Sequence, residues 1–320
     1  HARHHELRVT PRVAELVPKL TAHFDEPFGN PTALLTWMIC EQVREQVTVV
    51  LSGDGGDEAF GGYPRYRGVS WAEHYRNVPE VVRRGLIHPL VQRLPESVSG
   101  FHGLRRFREF AAGALLDPVD MYAHWIGYYT ATERQHLYSG DLAATLSGRD
   151  PHEYIRDLAR ACDAPEPVSR AMYIDCMSFL PNNVLQYGDR MSMAHSLEVR
   201  VPLADPTLLE YMLAVPGTLK LRSGKSKYLL RRLLSGQLPP EVCKRGKTGF
   251  NPPMGVWLNG SLREIVEDYL SPERLRREGF FNPEAVAHMR EAHRTGRRDY
   301  TWHLWALIMF EQWRQNSKVK

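Results

Sequence analysis

Ser52-Gly-Asp-Gly-Gly-Asp-Glu58 brings three carboxylates and three glycines into seven residues. Glycine admits positive φ and lets a backbone approach a ligand closely. Asp54, Asp57 and Glu58 supply negative charge and no cation. That set is wrong for gripping bare phosphate and right for Mg²⁺ that carries phosphate. The segment follows Val47-Thr-Val-Val-Leu51, whose β-branched apolar run reads as a buried strand of a parallel sheet. Ligands of open α/β sheets bind beyond the carboxyl ends of the strands, where this turn would lie. The residues alone leave two readings open, a metal–nucleotide site or an acidic helix-capping turn.

A second candidate is Gly224-Lys-Ser226, but a phosphate-binding P-loop needs glycine where Leu219 stands. That reading is rejected. Arg245-Gly-Lys-Thr-Gly-Phe250 forms a basic, glycine-bearing loop.

The elements that must position these groups change character along the chain. Apolar residues at helical spacing over 32–46 predict an amphipathic helix feeding the strand at 47–51. Residues 1–62 therefore read as the tail of an α/β sheet, and residues 63–320 as a mainly helical part. Helices are expected near 79–94, 104–115, 118–129 and 151–162, and over 169–195 with a break at Pro181. Asp205-Pro206 and Asn282-Pro283 each set a capping side chain before a proline, which predicts two helix starts. The last helix, about 299–315, carries Trp302, Trp305, Ile308, Met309 and Trp313 as core packing.

With 320 residues, 43% hydrophobic and 24% charged, the composition is that of a folded globular chain. A net charge of +4 on scattered basic residues argues against nucleic acid, which calls for a basic face. No apolar run is long enough for a membrane span. Four widely spaced cysteines without a C-x-x-C pair predict free thiols and a cytoplasmic location.

Asp25-Glu-Pro-Phe28, SGDGGDE (52–58), GGYPRY (61–66), DRMSMAHSLEVRVPLAD (189–205), KSKYLLR (225–231), RGKTGFNPPMGVWL (245–258) and WHLWALIMFEQW (302–313) occur in this order. Together they resemble the synthetase half of the glutamine-dependent asparagine synthetases. The resemblance implies an α/β fold with a partial doubly wound parallel sheet, of the adenine nucleotide alpha-hydrolase kind, followed by a largely helical remainder. It implies ATP and Mg²⁺ as cofactors, and conversion of aspartate to asparagine through β-aspartyl-AMP. Ammonia would come from glutamine hydrolysed by an N-terminal glutaminase portion. A homo-oligomer is left open.

On this resemblance Asp57 holds Mg²⁺, and Ser52, Gly53, Asp54 and Gly55 meet the nucleotide. Asp54 also stands where the family has a carboxylate, often glutamate, that takes a proton from attacking ammonia. Lys227, at the start of KYLLRRLL, would stabilise departing pyrophosphate, with Lys225 a weaker alternative. Lys247 belongs to a loop that folds over the active site, and Arg190 matches an arginine near the acyl substrate. Asp205 and Arg200 are expected to brace the fold. His4-His5-Glu6 is placed at the edge of a strand. Asn30 replaces a usual aspartate, and Pro202-Leu-Ala-Asp205 replaces Pro-Phe-Leu-Asp. No Ser-Gly-Gly-x-Asp-Ser pyrophosphate loop occurs here. The sequence therefore reads as a fragment, inactive by itself. Two alternatives stay open: a relative acting on another carboxylate, and a remnant that only binds a partner.

Overall fold

In the computed structural model, residues 3–93, 102–222, 224–245 and 249–317 are described. The chain is mostly helical around a small parallel sheet. Helix α1 (Val13–Phe24) and the last helix (Thr301–Asn316) pack together, so the two ends of the chain share one core. Leu16, Leu20 and Phe24 meet Leu304, Trp305 and Ile308 there, with Leu34, Trp37 and Met38 from α2 (Thr32–Arg44). A second cluster joins Tyr66 and Val69 of α4 (Pro64–Arg76) to Met121, Tyr122, Met172 and Ile174. Trp305 is fully buried, as its place in the apolar stripe predicts, whereas Trp302 and Trp313 are partly exposed.

Among the described residues the sheet has two strands, β1 (Val49–Leu51) and β2 (Glu198–Arg200), paired in parallel. Val49 faces Glu198, Val50 faces Val199 and Leu51 faces Arg200. Ser52 N donates to Arg200 O at 2.9 Å, so the pairing carries on into the glycine-rich turn.

Two expectations fail here. The strand at 47–51 is not buried: Leu51 is 74% exposed and Val49 41%. A β-branched run encodes extended backbone but not how many layers cover it. Val49 and Leu51 share one face by the two-residue period, and among the described residues that face is only partly covered. Nor do His4-His5-Glu6 edge a strand. Residues 3–12 are irregular, and His4, His5 and Glu6 are exposed.

The expected long helix 169–195 divides into Pro167–Met177, a π-turn over Leu180–Leu185 and Gln186–Met193. Pro181 has no N–H and would clash with a carbonyl one turn back, and the wider turn relieves both. Asp205 and Asn282 cap their helices as predicted. Asp205 accepts from Leu208 N at 3.2 Å, and Asn282 accepts from Glu284 N at 3.0 Å. Segment 79–94 forms one continuous helical run over 80–92, as expected, with a π-helical stretch at Arg83–Ile87 in its middle.

Candidate functional site

Parallel pairing brings the ends of β1 and β2 side by side, and the turn after each strand meets the other. Gly55 has φ +83°, and a Cβ there would lie 2.9 Å from the backbone of Ala204. Only glycine gives both the left-handed backbone and the close approach. The chain then enters α3 (Gly56–Phe60), which ends at Gly61 with φ +71°. Gly53, by contrast, borders open space.

Three carboxylates leave this turn toward three surroundings. Asp54 is half-buried and accepts from Ser52 Oγ at 2.5 Å. Asp57 forms an ion pair with Lys227, Nζ to Oδ1 2.7 Å. Glu58 is buried beneath the turn and accepts from Tyr63 OH at 2.7 Å. Burial pushes the Glu58 carboxyl above its ordinary range, although that bond opposes the shift.

Asp54 and Asp57 line a cleft of about 1630 Å³. Its lining also includes Tyr63, Arg65, Phe179 and Tyr187, together with Lys225, Arg232 and Arg245 from the segment 225–245, called its rim below. The rim is pinned by Arg231, which donates to Ser226 O at 3.1 Å, to Arg245 O at 3.0 Å and to Cys243 O. The lining thus brings carboxylates and basic side chains into one cleft, a combination suited to a metal-bearing polyanion.

Around Arg65 lies a charge cluster that sequence reading missed. Arg65 Nη2 meets the fully buried Asp175 at 2.7 Å, and Tyr66 OH donates to the same oxygen at 2.5 Å. Arg65 also lies 4.0 Å over the Tyr63 ring and 4.5 Å from that of Phe179. Burial opposes the charge of Arg65, but Tyr122 and Asp175 hold its guanidinium well above the ordinary value. The cluster ties the residues after the turn to helix Pro167–Met177. Arg65 sits within GGYPRY, but nothing in the sequence singles out Asp175.

The sequence-derived residues are distributed unevenly. Gly53, Asp54, Gly55 and Asp57 line the cleft together. Ser52 and Lys227 each bond to one of the lining carboxylates. Lys227 precedes helix Tyr228–Leu234 as expected, in the left-handed region at φ +53°. Lys225 and Asn30 line the cleft, and Asn30 Nδ2 donates to Asn183 Oδ1 at 2.6 Å. Arg190 is not brought to them: it is exposed and donates to His23 O at 3.4 Å. Lys247 lies outside the described residues, between the lining residues Arg245 and Gly249. Arg200 is exposed in β2 and pairs with Glu198 at 2.7 Å.

Among the described residues no group of three His, Cys, Asp or Glu could hold a metal. A hard octahedral cation bound through phosphate needs only one or two carboxylates, the rest being phosphate oxygens and water. Asp57 could supply one such carboxylate but not the whole site, and in this structure it already holds the Lys227 ammonium. No helix among the described residues is long and apolar enough to cross a membrane. The four cysteines are free.

An acidic glycine turn beyond a parallel strand, lining one cleft with basic side chains, defines an α/β chain with a ligand cleft at the carboxyl end of its sheet. The asparagine synthase family profile matches residues 1–315, and the chain belongs to that family. It is 27% identical over 301 residues to the glutamine-hydrolysing asparagine synthetase 1 of Bacillus subtilis (strain 168), covering 93% of this chain and 45% of that protein. A Mycobacterium tuberculosis protein (strain ATCC 25618 / H37Rv) that provisionally carries the same name is 30% identical over 307 residues, 93% of this chain and 44% of its own length. The amidase chry2 of Gibberella zeae is 25% identical over 284 residues, 83% of this chain and 41% of that protein. The chain spans less than half the length of these relatives.

Proposed function

We propose that this chain is the synthetase part of an enzyme that amidates aspartate to asparagine at the expense of ATP. The observation that carries the proposal is the Asp57–Lys227 pair set beside Asp54 at the mouth of one cleft. A carboxylate is a poor electrophile until one of its oxygens becomes a good leaving group. Attack of that oxygen on the α-phosphorus of ATP forms β-aspartyl-AMP and releases pyrophosphate. Ammonia then attacks the acyl carbon and AMP leaves.

The residues divide this work by position. Asp57 would hold Mg²⁺, which when bound neutralises phosphate oxygens. Lys227, within reach of Asp57, would stabilise negative charge on departing pyrophosphate. Asp54, oriented by Ser52, would take the proton that ammonia sheds on attack. Gly53 borders open space, where the nucleotide can approach the backbone. On the resemblance, Lys247, outside the described residues, would touch phosphate or the acyl group. Arg190 has no part in this scheme, since it lies apart from the cleft. The nucleotide would lie on a doubly wound sheet of which β1 and β2 are part. Ammonia would be delivered by a glutaminase portion.

Exchange of labelled pyrophosphate into ATP tests the reading on the full-length natural protein. Aspartate-dependent exchange is expected. Exchange absent with every carboxylate overturns adenylation, and exchange with another carboxylate but not aspartate overturns the substrate.

A further inference from the structure

We propose that Lys227 is a placeholder cation, which occupies the metal position beside Asp57 until a polyphosphate draws it away. Divalent metal would then bind this site together with polyphosphate and only weakly without it. The inference rests on the reading of Asp57 as metal ligand and concerns what holds that carboxylate before any ligand arrives.

Four observations carry it. The ammonium lies 2.7 Å from Asp57 Oδ1, a distance at which a second cation on the same oxygen would be strongly repelled. The pair is tightly enclosed on one side: a Cβ at Gly62 would fall 1.7 Å from Asp57 Oδ1 and 2.4 Å from Lys227 Cε. On the other side Asp57 lines the cleft between partly exposed side chains, 17% for Asp57 and 25% for Lys227, flanked by the lining residues Ser226 and Tyr228. Asp57 Oδ1 itself is buried against the ammonium, so a ligand entering the cleft can reach the more exposed lysine and draw it from that oxygen. Finally, Lys227 holds φ +53°, a backbone region that a lysine rarely adopts and that clusters at functional sites.

These features make the pair exchangeable rather than a brace. A bare divalent ion at Asp57 would sit against an ammonium with no anion between them. Polyphosphate supplies oxygens for both cations at once, so the lysine can pass from carboxylate to phosphate as the metal takes its place. Metal and polyphosphate then bind with positive coupling, each raising the affinity of the other by the same factor.

The test uses Mn²⁺ as the probe, followed by electron paramagnetic resonance, with and without ATP, on the full-length natural protein. Wild type should bind Mn²⁺ alone weakly and the Mn²⁺–ATP pair well. Lys227→Met should bind Mn²⁺ alone about tenfold or more tightly, because the competing charge is gone, and should lose most of the ATP enhancement. Lys227→Gln keeps a donor for Asp57 without the charge and should do the same, which covers a Met variant that fails to fold. Adding Asp57→Asn to either should abolish the gain. Folded Lys227 variants that bind Mn²⁺ no better than wild type would overturn the placeholder. If wild type binds no ATP under any condition, the adenylation reading falls instead, and the Mn²⁺-only comparison still decides the role of Lys227.

Discussion

Two carboxylate–cation groupings in this molecule look alike on paper and do different work. Asp57 and Lys227 pair on the wall of a cleft. Glu278, Glu311 and Arg314 pair where helix Pro272–Glu278 meets the last helix, with Arg274 adding a contact to Glu278 at 3.2 Å. In the second grouping Glu311 is fully buried and Arg314 bridges both carboxylates, so no room is left for a competing ion. In the first, Asp57 lines a cleft and both side chains stay partly exposed. The same chemistry thus serves exchange where a ligand can reach it and cohesion where none can.

The largest effect should come from the open pair. Asp57→Asn should abolish aspartate-dependent pyrophosphate exchange, a loss of about 10³-fold or more, because a hard anionic ligand disappears. Exchange retained within a few-fold would move the metal site elsewhere. Next, Asp54→Asn should spare exchange while slowing amide formation about 10²–10⁴-fold. Equal loss of both steps would make Asp54 a nucleotide or metal contact rather than a base.

The sealed groupings should speak through stability. Arg65→Met leaves Asp175 charged and fully buried, which costs about 3–5 kcal/mol in denaturant melts. A change under about 1 kcal/mol would show that Tyr66 and Tyr122 suffice for Asp175. For Glu311, burial and its hydrogen-bonding neighbour Glu278 push the carboxyl up to about 8. The folded state then holds a proton that the unfolded state has released. Stability from this group is complete below about pH 4.5 and falls as pH rises toward 8, by up to about 1.4 kcal/mol per pH unit. Glu278 is depressed below its ordinary value, net of the burial that opposes this, so its contribution is lost only at acid pH. Glu311→Gln should flatten the fall above pH 4.5, and an unchanged slope would place the titrating group elsewhere. Smallest is Gly55→Ala, about 1–3 kcal/mol, from the positive φ and the contact with Ala204.

Local signals carried much of the fold. Asp205-Pro206 and Asn282-Pro283 announce helix starts because a cap and a proline act within one turn. Pro181 announces an interruption for the same reason, though not that a π-turn would absorb it. Strand β2 was illegible: Glu198-Val199-Arg200 is three residues long with charges at both ends, and its pairing with β1 is its reason for being extended. The acidic turn was legible as a metal-binding composition. Its partners were not, since Lys227 and Asp175 reach the turn region from distant positions that spacing cannot connect. Resemblance supplied Lys227, and nothing supplied Asp175.

The parallel register carries a kinetic consequence. Arg44, at the end of α2, bonds to Ser196 O across 152 residues of chain, and β1 meets β2 beside that bond. Closing so long a loop is entropically slow compared with forming the surrounding helices. The ligand cleft should therefore be among the last features to appear as the chain folds. In refolding experiments, helical circular dichroism should recover before the ability to bind nucleotide does.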